Sequence, residues 1–352
     1  MSTQLGESAV VEQIAAPFSI QISQAGRAIA ASPNRTILES ALAAGVDYPH
    51  GCRSGQCGAC RSRLVSGHVE HLSHSEFALS ASDKALGFIL PCRALPRSDA
   101  SVAWTEQDDG ERDLAVRRLR CRVTRVEPLT HDISLIGLEP TTGRPLEYRA
   151  GQYVRVTADG LPARDYSMAN APGGSALEFH IRRIPGGAVS TQLTRALKVG
   201  DEVRVEGPHG HAYLRQRHAG PILAIGAGSG LAPMKAIVEA ALARPVSSPV
   251  HLYFGARTAR DLYLADHFEG LAAAHPNFHY SVVVSDEAVP GRGRGLVGDV
   301  AAARLPDLDG WKVYLAGGPA MIASAAERIL ERGARIEDIH ADVFFTPESA
   351  GG

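Results

Sequence analysis

The chain has 352 residues, of which 45% are hydrophobic and 21% charged, and its formal net charge is −2. That length implies two or three domains with ordinary packed cores. The balance lacks the basic surplus of a duplex binder, no apolar run reaches bilayer-spanning length, and the polar stretch Met1 to Gln13 has no apolar signal core, so the composition argues against nucleic acid, membrane and export.

Residues 1–16 read as a flexible leader. Phe18 to Ile22 alternates at period two, as a strand does, and a turn over Gln24 to Arg27 leads to a second short strand. Thr36 to Gly45 reads as a helix, capped by Asn34 or Thr36 and ended by Gly45.

The next stretch, Gly51-Cys-Arg-Ser-Gly-Gln-Cys-Gly-Ala-Cys60, places Cys52, Cys57 and Cys60 at the spacing C-x4-C-x2-C. A fourth cysteine, Cys92, follows in Leu90-Pro91-Cys92-Arg93. Three thiolates in one loop and a distant fourth form the plant-type ligand pattern for a [2Fe-2S] cluster. Gly51, Gly55 and Gly58 are expected to take left-handed backbone around it, turning amides towards sulfur. Structural zinc is the weaker reading, because it usually pairs two C-x-x-C hooks and only one is present. A disulfide is disfavoured because nothing marks the chain as secreted, and the cysteine usage fits a reducing cytoplasm.

Arg61 to Val69 resumes strand character, and Ser101 to Trp104 reads as a closing strand. Arg53, Arg61, Arg63 and Arg93 lie near the ligand cysteines in sequence; they either meet an acidic partner or form a solvated face. Glu106 to Asp113 is charged and aperiodic, as a linker is.

Composition then shifts. Strands are expected at Leu114 to Val126, Ile133 to Leu138, Gln152 to Thr157, Leu177 to Arg182 and Glu202 to Val205, with one helix around Val189 to Ala196. This spacing argues for a small antiparallel barrel. Cys121 is read as an inert strand side chain. From Pro221, apolar strands alternate with helices. The strands are Ile222 to Ile225, His251 to Phe254, Tyr280 to Val284, Val313 to Ala316 and His340 to Phe345; the helices are Ala232 to Leu242, Asp261 to Ala274, Val297 to Ala303 and Ala320 to Arg332. Such alternation means a parallel α/β sheet.

Two further motifs carry chemistry. In Arg164-Asp165-Tyr166-Ser167, an arginine suits an anionic group, a tyrosine offers a flat face to an isoalloxazine, and a serine can hydrogen-bond a flavin nitrogen. Gly186-Gly187-Ala188-Val189-Ser190 then leads into a helix, which favours pyrophosphate. The other motif, Gly226-Ala-Gly228-Ser-Gly230, sits between strand and helix, and a second glycine turn, Gly317-Gly318-Pro319, follows another strand. Both fall at carboxyl ends of predicted parallel strands, where such sheets bind ligands. The first is G-x-G-x-G and not the Rossmann G-x-G-x-x-G, so it persuades only in company.

Together these residues resemble the ferredoxin–NAD(P)H reductase superfamily, in the class with an N-terminal plant-type ferredoxin that includes reductase components of bacterial ring-hydroxylating dioxygenases. The resemblance covers nearly the whole chain after residue 16. It implies a multi-domain α+β and α/β architecture: a β-grasp [2Fe-2S] ferredoxin domain (17–106), a linker (107–113), an antiparallel FAD-binding β-barrel (114–214) and a parallel α/β NAD(P)H-binding domain (215–352). It implies Cys52, Cys57, Cys60 and Cys92 as cluster ligands, Arg164, Tyr166 and Ser167 at the flavin, and Arg182, Gly187 and Ser190 near its phosphates. Tyr166 and Ser167 are the residues it places closest to the chemistry. Gly226, Gly228 and Gly230 fall at its nicotinamide turn, and Gly317, Gly318 and Pro319 at its second cofactor turn.

Two departures stand out. Ala316 replaces a cysteine that many relatives carry. Phe344 and Phe345 are followed by a short tail where many relatives end on an aromatic covering the flavin, so either ring stacks there or both are core.

The resemblance implies electron transfer from NADH, or NADPH, through FAD and the cluster to an oxygenase component, Rieske-type, or to an intermediary ferredoxin. Arg257, Arg260 and Asp261 leave the choice of nucleotide open. Alternatives are a diiron hydroxylase or deoxysugar dehydratase as the client, or a redox sensor without turnover.

Overall fold

A computed structural model describes residues 16–51, 53–104 and 114–344. Nearly all of the expected leader and linker, Cys52 and Phe345 therefore lie outside the described residues.

The first unit contains β1 (Phe18–Ile22), β2 (Arg27–Ala31), α1 (Ile37–Ala43), β3 (Ser62–Ser66), β4 (Val69–His71), α2 (Ala81–Ala85), β5 (Phe88–Ile89), β6 (Ala94–Pro96) and β7 (Ala100–Trp104). Its five-stranded sheet runs β2-β1-β7-β3-β5. β1 pairs antiparallel with β2 and parallel with β7, so the closing strand lies in the middle, as in a β-grasp. Alternation along β1 buries Ile20 and Ile22 against Ile37, Leu38 and Ala41 of α1. Thr36 caps that helix in a capping box with Glu39, which decides between the two candidate caps.

The second unit contains β8 (Arg117–Pro128), β9 (Ile133–Pro140), β10 (Tyr153–Thr157), β11 (Arg164–Ser167), β12 (Leu177–Arg182), α3 (Ala188–Thr191), which continues as a π-helical turn through Ala196, and β13 (Glu202–His209). The sheet order is β11-β10-β13-β8-β9-β12, and a bridge from Met168 to Phe179 draws the two edges together into a nearly closed barrel. Val154, Val156, Phe179, Ile181 and Val205 fill its interior.

The third unit contains β14 (Ile222–Ala227), α4 (Leu231–Leu242), β15 (Val250–Ala256), α5 (Ala265–Ala274), β16 (Phe278–Val284), β17 (Gly293–Arg294), α6 (Val297–Arg304), β18 (Lys312–Gly317), α7 (Pro319–Leu330) and β19 (Ile339–Val343). The six strands are parallel, in the order β17-β16-β15-β14-β18-β19. The order reverses between β14 and β18, which makes their carboxyl ends the crevice where such sheets take ligands. Both glycine turns are there. α5 starts later than the expected Asp261, because Thr258 and Asp261 close a separate capping box and Leu264 takes a left-handed φ of 56°.

Candidate functional site

The cysteine loop follows α1 and packs under it. Cys60 and Cys92 bring their sulfurs to 3.3 Å, too far for a disulfide and close enough to share one inorganic core. Cys57, Cys60 and Cys92 are buried. The hydrogen bond to Cys92, then burial, push the Cys60 thiol well above its usual range, so a group that draws off the proton is needed to make it a ligand. Gly55 and Gly58 take φ of 76° and 72°, as expected. Gly51 does not take left-handed backbone; its reason is space, since a Cβ there would stand 3.0 Å from Cys57 Sγ. Ser54 Oγ is buried without a hydrogen-bond partner among the described residues. An orphaned donor and crowded thiols fit a sulfur-bridged group.

Arg53, beside Cys52, donates to His50 Nε2 at 2.9 Å; His50 Nδ1 therefore carries the proton and donates to the Tyr48 carbonyl at 2.7 Å. Arg61 is paired with Asp83, Arg63 donates to the Leu86 carbonyl, and Arg93 Nε donates to the Ser73 carbonyl at 2.8 Å. Arg53, Arg61 and Arg93 brace the loop from within the unit, whereas exposed Arg63 reaches only the edge by β5. Cys57 faces the other way: it shares an apolar cluster with Ile322, Ala341 and Val343 of the third unit, with Ala59 and Phe77 packed beside it. His50 meets His211, across the boundary with the second unit, at a ring separation of 6.1 Å.

β11 carries the flavin motif along the barrel edge. Arg164 is exposed, Tyr166 is half-buried and Ser167 is buried. Burial pushes the Tyr166 phenol up to about 12, so it stays neutral. Ser167 Oγ donates to Asp342 Oδ2 at 2.6 Å, tying the barrel to β19. Burial raises the Asp342 carboxyl to about 6, and the Ser167 bond opposes the rise. The sequence reading did not pick out Asp342. Its signal was an acid within the expected strand His340 to Phe345. Phe344 donates its amide to the Gly317 carbonyl at 2.8 Å and is half-buried.

Ser190 Oγ accepts from the Ile184 amide at 3.0 Å and donates to the Gly187 carbonyl at 3.3 Å. It fixes the shape of the glycine turn, while Gly187 leaves room for it, since a Cβ there would meet Ser190 Oγ at 2.7 Å. Arg182 Nε stands 3.1 Å from Asp132, and its guanidinium fills the space beside Gly228. Its Nε already faces that carboxylate, so the two terminal guanidinium nitrogens beside Gly228 are the ones that suit an anionic group. His131 joins Asp132 to Asp261, and Asp261 accepts from the Thr258 amide and hydroxyl at 2.9 and 2.8 Å. This polar clasp, also not anticipated, lies where barrel and nicotinamide unit meet, and hydrogen bonds from Thr130 and Thr258 already reach its carboxylates.

At the crevice, Gly228 takes a φ of 56° and a 3₁₀ turn leads into α4. A Cβ on Gly230 would lie 2.1 Å from the Ala316 carbonyl, and one on Gly226 would lie 2.8 Å from the Gly230 carbonyl. Gly317 takes a φ of 152°, Gly318 opens onto free space, and Pro319 starts α7. Two helix starts thus converge where the strand order reverses, with backbone bare enough to take a dinucleotide.

Three family models match in this order: the 2Fe-2S iron-sulfur cluster binding domain over residues 20–97, the oxidoreductase FAD-binding domain over 120–213, and the oxidoreductase NAD-binding domain over 224–327. The reductase component of the Ralstonia naphthalene 1,2-dioxygenase/salicylate 5-hydroxylase systems is 38% identical over 90% of this chain and 95% of its own.

The chain belongs to the ferredoxin–NAD(P)+ reductase family.

The corresponding reductase of Pseudomonas putida is 35% identical over 93% of this chain and 99% of its own. Among solved structures, an Amycolatopsis cytochrome P450 reductase matches with a TM-score of 0.71 at 36% identity, covering 93% of this chain and 98% of that one. This family member is an NAD(P)H-dependent oxidoreductase that uses FAD and a [2Fe-2S] cluster. Among the described residues no helix is long and apolar enough to cross a membrane.

Proposed function

We propose that this chain is the reductase component of a multicomponent oxygenase system, acting in the cytoplasm. NADH, with NADPH as the second choice, supplies the electrons; a Rieske-type oxygenase component or an intermediary ferredoxin receives them. Relatives named as components of dioxygenase systems support this client. The Amycolatopsis O-demethylase reductase subunit (38% identical) and the Rhodococcus jostii propane 2-monooxygenase reductase (32%) keep a second reading in view, a different class of oxygenase as client.

The observation that carries the reading is that one chain buries the cysteine loop against the unit that also supplies Asp342 to Ser167. Cys52, Cys57, Cys60 and Cys92 hold the cluster. Arg164, Tyr166 and Ser167 meet the flavin, and Phe344 borders it. Arg182 faces the flavin phosphates, and Gly187 and Ser190 shape the turn that receives them. Gly226, Gly228 and Gly230 with Gly317, Gly318 and Pro319 receive the nicotinamide nucleotide. The domains run 17–106, 114–214 and 215–352.

FAD supplies the conversion of a two-electron hydride into single electrons, which a [2Fe-2S] centre accepts one at a time. The protein's own share is positioning. Tyr166 presents a neutral ring face, Ser167 holds a hydrogen bond at a fixed point, and Asp342 holds or yields a proton behind it. The close Gly230–Ala316 approach excludes side chains from the nucleotide's path.

The test is anaerobic mixing of holoprotein with NADH, followed by cytochrome c reduction. Replacing Cys92 or Cys57 by Ser is expected to abolish the cluster's electron paramagnetic resonance signal and cytochrome c reduction while flavin bleaching persists. Loss of bleaching in both variants, or full cytochrome c reduction without the cluster signal, would overturn the reading.

A further inference from the structure

The ferredoxin unit carries a surface that the internal contacts leave unused. β3 and β5 pair antiparallel, with Ser62 opposite Ile89 and Arg63 opposite Phe88. The Leu64 amide donates to the Gly87 carbonyl at 2.8 Å, so the register continues and sets Val65 opposite Leu86. Side chains alternate across a strand, so Arg61, Arg63 and Val65 share one face with Leu86 and Phe88, while Ser62 and Ile89 turn into the core. On the outward face Val65 is 60% and Leu86 61% exposed. The Arg61 guanidinium lies 4.5 Å from the Phe88 ring centroid and that of Arg63 5.4 Å. Asp83 neutralises Arg61. Arg63 and Lys84, both exposed, have no carboxylate within 4 Å among the described residues.

This face is joined directly to the cysteine site. Arg61 follows Cys60, and β5 runs on to Cys92; these are the two sulfurs 3.3 Å apart. Cys57 sits on the other side, against the nicotinamide unit. The site therefore has an inner side, occupied by the rest of the chain, and an outer side from which β3 and β5 lead to an apolar pair flanked by cations, Val65 five residues beyond Cys60 and Leu86 six residues before Cys92.

We infer that the face formed by Arg63, Val65, Leu86 and Phe88, with Lys84, is where the electron-accepting protein docks, and that this acceptor presents carboxylates around an apolar centre. The inference rests on the proposed function and names the surface and charge of its partner. Uncompensated cations steer an acidic protein and set its orientation. The Val65–Leu86 pair supplies apolar area to desolvate, and a ring held under arginine is a rigid anchor.

The test uses the full chain loaded with FAD and cluster, with the soluble domain of cytochrome b5 as an acidic one-electron acceptor and basic cytochrome c as control. Arg63→Glu combined with Lys84→Glu is expected to raise the KM for cytochrome b5 about tenfold at low salt, flatten its salt dependence and lower the KM for cytochrome c. Flavin bleaching by NADH and the cluster signal should match the parent. Val65→Ser with Leu86→Ser is expected to raise the cytochrome b5 KM about threefold without altering the salt slope. If the charge reversal disturbs the cluster signal, Arg63→Gln with Lys84→Gln replaces it, with a smaller shift in the same direction.

Unchanged KM and salt slope in the charge variants overturn the docking face. So does sedimentation showing that Val65→Ser with Leu86→Ser abolishes self-association while acceptor kinetics hold, because the face then belongs to a second copy of this chain. A parent protein that bleaches with NADH but leaves the cluster oxidised refutes the proposed function itself, and is separable from either outcome.

Discussion

Ser167 and Asp342 are 175 positions apart in sequence and share a 2.6 Å hydrogen bond, with the serine donating. One stands at the end of a barrel strand and the other in the last described strand of the nicotinamide unit. The bond joins two units at the point where the flavin motif meets the crevice of the parallel sheet. Burial raises the carboxyl, and the Asp165 carboxyl nearby adds to the rise.

Asp342→Asn and Ser167→Ala are each expected to slow flavin bleaching by NADH about a hundredfold, the lower end of what a positioned proton-handling group contributes. In the parent the bleaching rate should bend near pH 6, where Asp342 changes state, and Asp342→Asn should remove the bend. Stopped-flow absorbance across pH 5 to 8 checks both.

The same carboxyl makes stability depend on pH in a defined direction. Its folded value of about 6 lies above the ordinary carboxyl value of 3.8, so the unfolded chain gives up the proton first. The contribution is present at acid pH and is lost as pH rises from about 4 through 6, amounting to about 3 kcal/mol at most. Denaturant midpoints across that window should fall in the parent relative to Asp342→Asn, after other carboxylates common to both have cancelled.

Gly230→Ala is expected to cost 3 kcal/mol or more, about the upper end for forced overpacking. The added Cβ would stand 2.1 Å from the Ala316 carbonyl, and backbone cannot swing aside as a side chain can. Gly318→Ala, which meets nothing within 4 Å, is the control. Thermal melts should separate them clearly, and NADH affinity should fall far more in the first.

Cys121 lies buried in the barrel, and burial alone pushes its thiol up to about 11. It should resist iodoacetamide in the folded protein at neutral pH. Cys121→Ala should leave flavin bleaching and the cluster signal intact while costing about 1 kcal/mol of stability. Mass spectrometry of labelled protein measures the first, and denaturation the second.

Arg182→Gln is expected to weaken FAD retention by about tenfold to a hundredfold, the worth of a hydrogen bond to a charged group. The guanidinium already sits beside Gly228 and opposite Asp132, so its position does not need to be built on binding. Dialysis followed by fluorescence of the released flavin measures the change.

Much of the architecture was legible because it rests on local pattern. Period-two alternation located β1, a continuous apolar run located β14, and the alternation of strand with helix located β18. Elements of three to five residues such as β4, α2 and β6 are too short to show a period, and they escaped. The motif residues on β11 and at the glycine turns were readable because their chemistry is carried by residue type. Gly51 was readable as necessary but for the wrong reason: the neighbouring sulfur, not the backbone angle, excludes a side chain. Asp342 was not readable as a partner, because no local signal marks an acid whose hydroxyl donor lies in another unit. The His131–Asp132–Asp261 clasp escaped for the same reason.

Cys57 is 6% exposed and lies within the apolar packing of the nicotinamide unit. A reagent that seeks that thiol in the metal-free chain reaches it only when the first and third units part. Its alkylation rate therefore reports how often this contact opens, and substitutions that loosen the packing of Ile322 and Val343 around Cys57 are expected to raise it.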